Sequence, residues 1–388
     1  MAAEIYNINE QNDILTFEIR NANVSVINSI RRVVLSNIET LVFKGFPHNE
    51  NNINIIKNNT KFNNEYLKHR ISCIPIMNDD SGTFDNFREN YKIVVNVENN
   101  TSEIVYVTTK DIVIVNKTTN NEINKEEINR LFPPNKIIQD SDEYILICVL
   151  YPNHNSNNSP DSIHFEANFD IGTAKENSCW NVVSNCMYEN VKDQAQINKI
   201  ADNMQNISKK KDFQLLDAEK VYLPNEFKFT VETLGIFSNR QIIDKACNYI
   251  ISKLNLILQF IKTNNSTEVL SQNELNRNIT NGSMSKEELN FYENVYCMLY
   301  KEDNFYVFEL KEDDYTIGKI IEKYLYEFNE NGNIEFVGFK KDHPSTFNVK
   351  IYIKYKTKVS SSYVFIHLMN TANYLINMYQ LIQSEFKN

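Results

Sequence analysis

Near the N-terminus apolar positions alternate with polar ones, with Leu15, Phe17 and Ile19 set against Thr16, Glu18 and Arg20. Alternation with a period of two predicts a strand with one buried face. The period then changes. Val26, Ile27, Ile30 and Val34 recur at helical spacing as far as Ser36, behind Asn23, whose short polar side chain suits an N-cap. Thr40-Leu41-Val42-Phe43 predicts a second strand, which completes a strand–helix–strand unit.

The same unit returns 291 positions later. Phe17-Glu18-Ile19-Arg20 aligns with Phe308-Glu309-Leu310-Lys311, and without a gap Ser25-Val26 falls on Thr316-Ile317, Ile30 on Ile321 and Val34 on Leu325. A strand is again predicted next, over Ile334-Glu335-Phe336-Val337. Each copy also precedes a long amphipathic helix. One carries Ile243, Ala246, Ile250, Leu254, Ile257 and Ile261 behind a possible Ser238 cap. The other carries Phe365, Leu368, Met369, Ala372, Leu375, Ile376, Tyr379 and Ile382. Two such stripes can bury against each other and the sheets, which gives an intramolecular pseudo-dimer. The alternative is that each stripe covers only its own sheet.

Between the first unit and its long helix, Lys44 to Pro224 reads mostly as strands, over Tyr91–Val97, Glu103–Val107, Ile112–Val115 and Tyr144–Leu150, separated by Asn-rich loops. Thr263 to Lys286 is polar and without periodicity, as suits a linker.

Composition narrows the function classes. At 388 residues the chain exceeds one ordinary core, and 42% hydrophobic residues supply ample material to bury. A net charge of −10 argues against a chain that grips nucleic-acid phosphates by itself, since the basic clusters are small (Arg31-Arg32, Lys209-Lys210-Lys211). Cys73, Cys148, Cys179, Cys186, Cys247 and Cys297 form no CxxC pair, so neither a zinc ribbon nor a redox motif is predicted. Val359 to Ser384 contains no Asp, Glu, Lys or Arg. Its Asn370, Asn373, Asn377, Gln380 and Gln383 favour a packed helix over a membrane span. The eight glycines form no phosphate-binding loop, and the six histidines show no HExxH spacing. Asp79-Asp80 and Asp313-Asp314 read as turns or helix starts, the latter at a positive dipole end. An autonomous enzyme is disfavoured.

Several segments carry a family resemblance. Asn28-Ser29-Ile30-Arg31-Arg32-Val33-Val34-Leu35-Ser36-Asn37-Ile38-Glu39-Thr40 resembles the N-x-L-R-R-x-x-L-S-x-x-P-T segment of the RNA polymerase α-like subunits, with Glu39 where proline is common. Asn59-Thr60 with Asn64-Glu65-Tyr66-Leu67-Lys68-His69-Arg70-Ile71-Ser72-Cys73-Ile74-Pro75-Ile76 resembles that family's N-T-S…H-R-L-G-L-I-P-L. Phe229-Thr230-Val231-Glu232-Thr233-Leu234-Gly235 resembles its F-x-V-E-T-x-G. The last hundred residues resemble the smaller partner, archaeal subunit L or the eleventh eukaryotic subunit. There Asp313-Asp314-Tyr315-Thr316-Ile317-Gly318-Lys319 is similar to E-D-H-T-L-G-N, and Phe336-Val337-Gly338-Phe339-Lys340-Lys341-Asp342-His343-Pro344 to V-x-x-A-G-Y-x-x-P-H-P. Fusion of the two resembles the arrangement in large DNA viruses of eukaryotes.

The resemblance implies an α+β fold in which two α-like dimerisation domains, each an antiparallel sheet plus helices, pair within one chain. Residues 1–43 and 225–262 would form the first domain, 44–224 a β-rich insertion domain, 263–286 a linker and 287–388 the second domain. Ile243, Ile250, Leu254, Ile257, Leu368, Leu375, Ile376 and Tyr379 would form the intramolecular interface. It implies a non-catalytic assembly subunit of a DNA-directed RNA polymerase, on which the two largest subunits and small accessory subunits gather, with DNA and RNA met only through the complex. Neither a membrane nor a small-molecule substrate is expected. No cofactor is expected in this chain, the catalytic magnesium belonging to the largest subunit, and the cysteine cluster that some relatives carry is lacking. An intracellular, reducing setting is expected, in a virion or the host cytoplasm if the source is viral.

Arg31 and Arg32, with Leu35, are candidates for docking the second-largest subunit, because guanidinium forks suit carboxylates and backbone carbonyls. The alternative is a local ion pair with Glu39 or another surface acid. His69 and Arg70 are candidates for pinning the insertion domain to the same partner, against a purely structural histidine. Asp314 and Thr316 are expected to cap the second short helix, and His343-Pro344 to shape a turn. The rival function is a free-standing scaffold or regulator with this fold outside the polymerase.

Overall fold

A computed structural model of the chain describes residues 3–135, 142–152, 160–264, 269, 296–329 and 332–387. The expected linker at 263–286 lies outside them, apart from Thr263, Asn264 and Val269.

The chain starts with β1 (Glu4–Gln11), β2 (Ile14–Arg20), α1 (Val24–Ser36) and β3 (Glu39–Val42). There follow β4 (Ile53–Asn58), α2 (Asn64–Ser72), α3 (Phe84–Asn90), β5 (Tyr91–Glu98), β6 (Val105–Thr108), β7 (Val113–Asn116), α4 (Lys125–Leu131) and β8 (Leu146–Leu150). Next come β9 (Ser162–Asn168), β10 (Asp170–Thr173), β11 (Val183–Lys192), α5 (Gln194–Asp202), α6 (Ile207–Leu215), β12 (Tyr222–Thr233) and α7 (Asn239–Asn264). The C-terminal part holds β13 (Cys297–Glu302), β14 (Phe305–Leu310), α8 (Tyr315–Glu327), β15 (Ile334–Lys340), β16 (Val349–Tyr355) and α9 (Ser361–Ser384).

Two compact units result. The first comprises Met1–Val34, Asn185–Val231 and Arg240–Asn388, the second Leu35–Ser184 and Glu232–Asn239. Residues 185–224, which the sequence pattern groups with the insertion, thus fall in the first unit.

Both repeats lie in the first unit and build the same object. One sheet has strand order β1-β2-β12-β11, the other β13-β14-β16-β15. The short helices α1 and α8 are 13 residues each, and both their first and their last residues stand 291 positions apart. The repeat is therefore exact where two buried helix faces must fit equivalent sheets. On β2 the buried Leu15, Phe17 and Ile19 fit the predicted alternation, and on β14 Val307, Phe308 and Leu310 are buried.

One strand assignment needs correction. The strand after α1, β3, does not join the first repeat's sheet as β15 joins the second. It pairs with β10 in the second unit, Val42 opposite Asp170. The equivalent place beside β12 is filled by β11. The insertion thus enters between the short helix and the third strand of the first repeat, and the chain must return before the sheet can be completed.

The second unit is β-rich, as expected. Antiparallel strands run in the order β4-β9-β5-β7, with β6 paired to β8 and β10 to β3. Phe43, Phe87, Phe165 and Phe169 fill its interior, the Phe43 and Phe169 ring centres lying 5.2 Å apart. Gly172 has to be glycine, since a Cβ there would come within 2.7 Å of the Trp180 ring and 2.9 Å of Val42.

Among the described residues no helix is long and apolar enough to cross a membrane. The charge-free stretch that could mimic a span is α9, packed into the first unit through residues such as Val364, Leu368, Ala372 and Leu375.

Candidate interdomain seam and docking residues

The long helices make the seam. On α7, Ile243, Ile250, Leu254 and Ile257 are at most 1% exposed. On α9 so are Leu375 and Tyr379, while Leu368 is 2% and Ile376 8% exposed. Each such side chain removed from water contributes about 1.5–3 kcal/mol before the cost of ordering it. Cross-repeat contacts show what these faces meet. The Phe260 ring of α7 lies 6.4 Å, centre to centre, from both Phe308 of β14 and Phe365 of α9. Phe386 at the end of α9 packs edge-on against Phe17 of β2 at 4.8 Å. The stripes therefore pack across the repeats rather than each covering only its own sheet.

Polar bonds fix the register of this apolar seam. The Tyr379 and Ser29 hydroxyls lie 2.5 Å apart, and Ser29 also donates to the Val26 carbonyl. Gln383 donates to Asn248 at 2.6 Å, joining α9 to α7. A buried hydroxyl or amide without a partner would be costly, so these pairs disfavour slipped registers.

Arg32 provides the charged tie. Its Nη2 donates to Asp314 Oδ2 at 2.5 Å and its Nε to Thr316 Oγ1 at 3.0 Å. Asp314 is also the N-cap of α8, its Oδ1 accepting from the Thr316 amide at 2.8 Å. Asn23 caps α1 at the equivalent position, accepting from the Ser25 amide. Burial pushes the Asp314 carboxyl up, but the bonds from Thr316 and the Arg32 guanidinium outweigh it and hold the group below its ordinary value. The neighbouring Asp313 goes the other way. It is 6% exposed, and burial raises it despite hydrogen bonds from Tyr296 and its own chain.

Of the candidate docking residues, the structure thus places Arg32 in a pair with the second repeat, which is the local-ion-pair alternative with Asp314 in place of Glu39. Arg31 keeps to its own helix, bonding Asn28 Oδ1 through Nε and Nη2 at 3.0 Å. Leu35 is half-buried one turn further along α1. In the second unit His69 is exposed near the end of α2. Arg70, beside it, donates to the carbonyls of Ile147 at 2.9 Å and Leu146 at 2.6 Å, holding α2 against β8. His343 forms the expected turn, its ring nitrogen accepting from the Ser345 amide and its carbonyl from Thr346.

Sequence reasoning missed Ser29, Asn248 and the partnership of Arg32 with Asp314. Each partner lies more than a hundred residues away, beyond any local spacing rule. Among the described residues, no group of three or more His, Cys, Asp or Glu side chains is placed to hold a metal.

Comparison with known proteins agrees with the twofold construction. The model of the RNA polymerase Rpb3/Rpb11 dimerisation domain matches residues 16–254, and a second model of the same description matches residues 306–385. A conjugation stage-specific protein of Tetrahymena thermophila is 25% identical over 187 residues, which cover 43% of this chain and 53% of that protein. The chain thus spans about half the length of that curated relative. With one match across more than half of its length and a second over its C-terminal repeat, the chain belongs to the RNA polymerase Rpb3/Rpb11 dimerisation domain family and carries the domain twice in tandem.

Proposed function

We propose that the chain is a non-catalytic assembly subunit of a multisubunit DNA-dependent RNA polymerase, a platform on which the two largest subunits dock. The observation that carries this reading is the seam. Two domains of a family named for polymerase dimerisation are packed on each other within one chain through α7, α9 and the Arg32–Asp314 pair. Covalent linkage makes their pairing intramolecular, so the platform forms without depending on the concentration of a separate partner. The net charge of −10 supports a place outside the nucleic-acid path, with DNA and RNA met through the complex. An intracellular, reducing setting belongs to the same proposal.

In this reading Arg31, Leu35 and His69 offer contacts to the large subunits, while Arg32 and Arg70 are positioning residues already engaged within the chain. Affinity purification of the tagged chain from its source, with mass spectrometry of the recovered proteins, tests it. Recovery of two very large polymerase subunits, weakened in an Arg31→Ala/His69→Ala variant of unchanged fold, is expected. Recovery of the chain alone or with unrelated proteins overturns the polymerase role and favours a free-standing scaffold.

A further inference from the structure

Cys73 and Cys179 stand apart from the other cysteines. Cys148, Cys186, Cys247 and Cys297 are buried, between 0% and 6% exposed, whereas Cys73 and Cys179 are exposed. Although 106 positions separate them, the second unit brings them together. Cys73 closes α2, its amide donating to the His69 and Arg70 carbonyls at 3.2 Å. Cys179 is the middle residue of a single helical turn, Ser178–Trp180, whose Asn177 cap accepts from the Cys179 amide. The two segments are pinned independently of any sulfur bond, because the Trp180 indole N–H donates to the Ser72 carbonyl at 3.0 Å. The Cys179 thiol lies 3.8 Å from that same carbonyl, with Cys73 lining the same cavity beside it. Both cysteines line a mostly apolar cavity of about 240 Å³, with Ile74, Ile76, Met77 and Trp180 in its wall.

We propose that Cys73 and Cys179 are a reversible modification site, a dithiol that a hydroperoxide converts to a disulfide. Cys73, at the open end of α2, is the first target. Its thiolate attacks the peroxide, the O–O bond breaks and Cys73 becomes a sulfenic acid, with the released hydroxide or alkoxide taking up a proton. The Cys179 thiolate then attacks the Cys73 sulfur, the S–O bond breaks and water leaves. Two thiols and one hydrogen peroxide give one disulfide and two waters, and two electrons pass from sulfur to oxygen. Because the Trp180–Ser72 bond already holds the two segments side by side, rotation of the side chains brings the sulfurs toward the S–S length of about 2.05 Å. Burial, with Cys73 close by, pushes the Cys179 thiol up to about 12, so the closing step is slow at neutral pH and quickens as pH rises. The bridge would tie the end of α2, and the Ile74–Met77 wall that follows it, to the Ser178–Trp180 turn.

The test treats the full chain with hydrogen peroxide at pH 7 and pH 9, blocks remaining thiols with an alkylating mass label, and maps peptides without reduction. The expected result is a linked Cys73–Cys179 peptide pair and a loss of 2 hydrogens, formed on the order of a hundred-fold faster at pH 9 where the closing step limits, and reversed by dithiothreitol. The four buried cysteines stay alkylatable after unfolding. The oxidised chain should also melt several degrees higher, because the bridge closes a loop of about a hundred residues. In Cys73→Ser and Cys179→Ser the linked pair is absent, and the reduced variants melt as the wild type does. Over-oxidation of Cys73 to sulfinic acid without a link, or a link through any other cysteine, overturns the proposal. Should a serine variant fail to fold, the wild-type peptide map decides the question by itself.

Discussion

The two repeats in the first unit share a frame and differ in what hangs from it. Both place a 13-residue helix after the second strand of a four-stranded sheet and end in a long helix of 26 or 24 residues. In the second repeat the chain passes from α8 to β15 over residues 328–333, and from β15 to β16 over residues 341–348. In the first, residues 37–182 intervene between α1 and β11, and α5 and α6 fill the connection from β11 to β12. The frame tolerates this because the entropic cost of closing a connection grows only with the logarithm of its length, whereas a change in helix length would misplace a buried face. Insertions belong in connections and identity belongs in the seam.

Inside the frame the copies also differ residue by residue. Ile27 of α1 is fully buried, while Gly318 stands at the equivalent place in α8, where a Cβ would come within 2.3 Å of the Phe339 ring. Asn23 and Asp314 cap in the same way, but only Asp314 carries charge and so attracts Arg32. The cation equivalent to Arg32, Lys323, pairs instead with Glu327 on its own helix. At these equivalent positions the charged tie across the repeats is therefore made once and not twice.

The largest effect should come from the seam common to both copies. Tyr379→Ala leaves a cavity and removes the Ser29 hydroxyl's partner on α9, and is expected to cost about 3–5 kcal/mol. It should be read from the urea midpoint and from faster hydrogen exchange along α7 and α9. Tyr379→Phe should cost about 1 kcal/mol, the hydroxyl pair alone.

Mirror changes at one equivalent position come next. Ile27→Ala should cost about 2–5 kcal/mol through cavity formation. Gly318→Ala should cost about 1 kcal/mol, since crowding against Phe339 is partly offset by the better helix propensity of alanine. Gains from both substitutions would break the claim that the second repeat has exchanged a helix side chain for a sheet side chain.

The caps sharpen the comparison further. Asn23→Ala should lose about 1 kcal/mol, a cap alone. Asp314→Ala should lose about 2 kcal/mol, a cap and the Arg32 partner together. In an Arg32→Ala/Asp314→Ala double-mutant cycle the coupling should be about 1 kcal/mol, reduced by salt, while Arg31→Ala changes stability by less than about 0.5 kcal/mol.

The smallest effect is in pH dependence. Asp314 is lowered in the folded chain, so its contribution is present above the ordinary carboxylate range and lost as pH falls through the folded value. Asp313 is raised, so its contribution is present below that range and lost as pH rises through its folded value. Asp314→Asn should flatten the acid side of the stability profile, and Asp313→Asn should remove the loss on the higher-pH side. The same slope in both variants would sink the opposed assignment.

How much of this was legible varies with the range of the interaction. The alternation of Leu15, Phe17 and Ile19, the α1 stripe and the caps at Asn23 and Asp314 involve neighbours within a few residues, and those were readable. The strand at β3 was readable, but its place in the first domain was not, because a four-residue strand can pair with any open edge and its sequence does not say whether that edge is β12 or β10. The docking candidates split for the same reason. Arg31 and Arg32 are adjacent in sequence, but a helix turns about 100° per residue, and only Arg32 comes within reach of Asp314.

By itself, the sequence determined the repeated strand–helix unit, the paired long helices, the β-rich character of the insertion and the family the chain belongs to. All of these are written in periodicities and motifs carried by contiguous residues. Only the tertiary structure decided which strand completes the first repeat's sheet, which arginine ties the repeats together, and that Cys73 meets Cys179. Those outcomes depend on residues brought together from far apart in the chain, where one helical turn or one choice of strand edge decides which side chains touch.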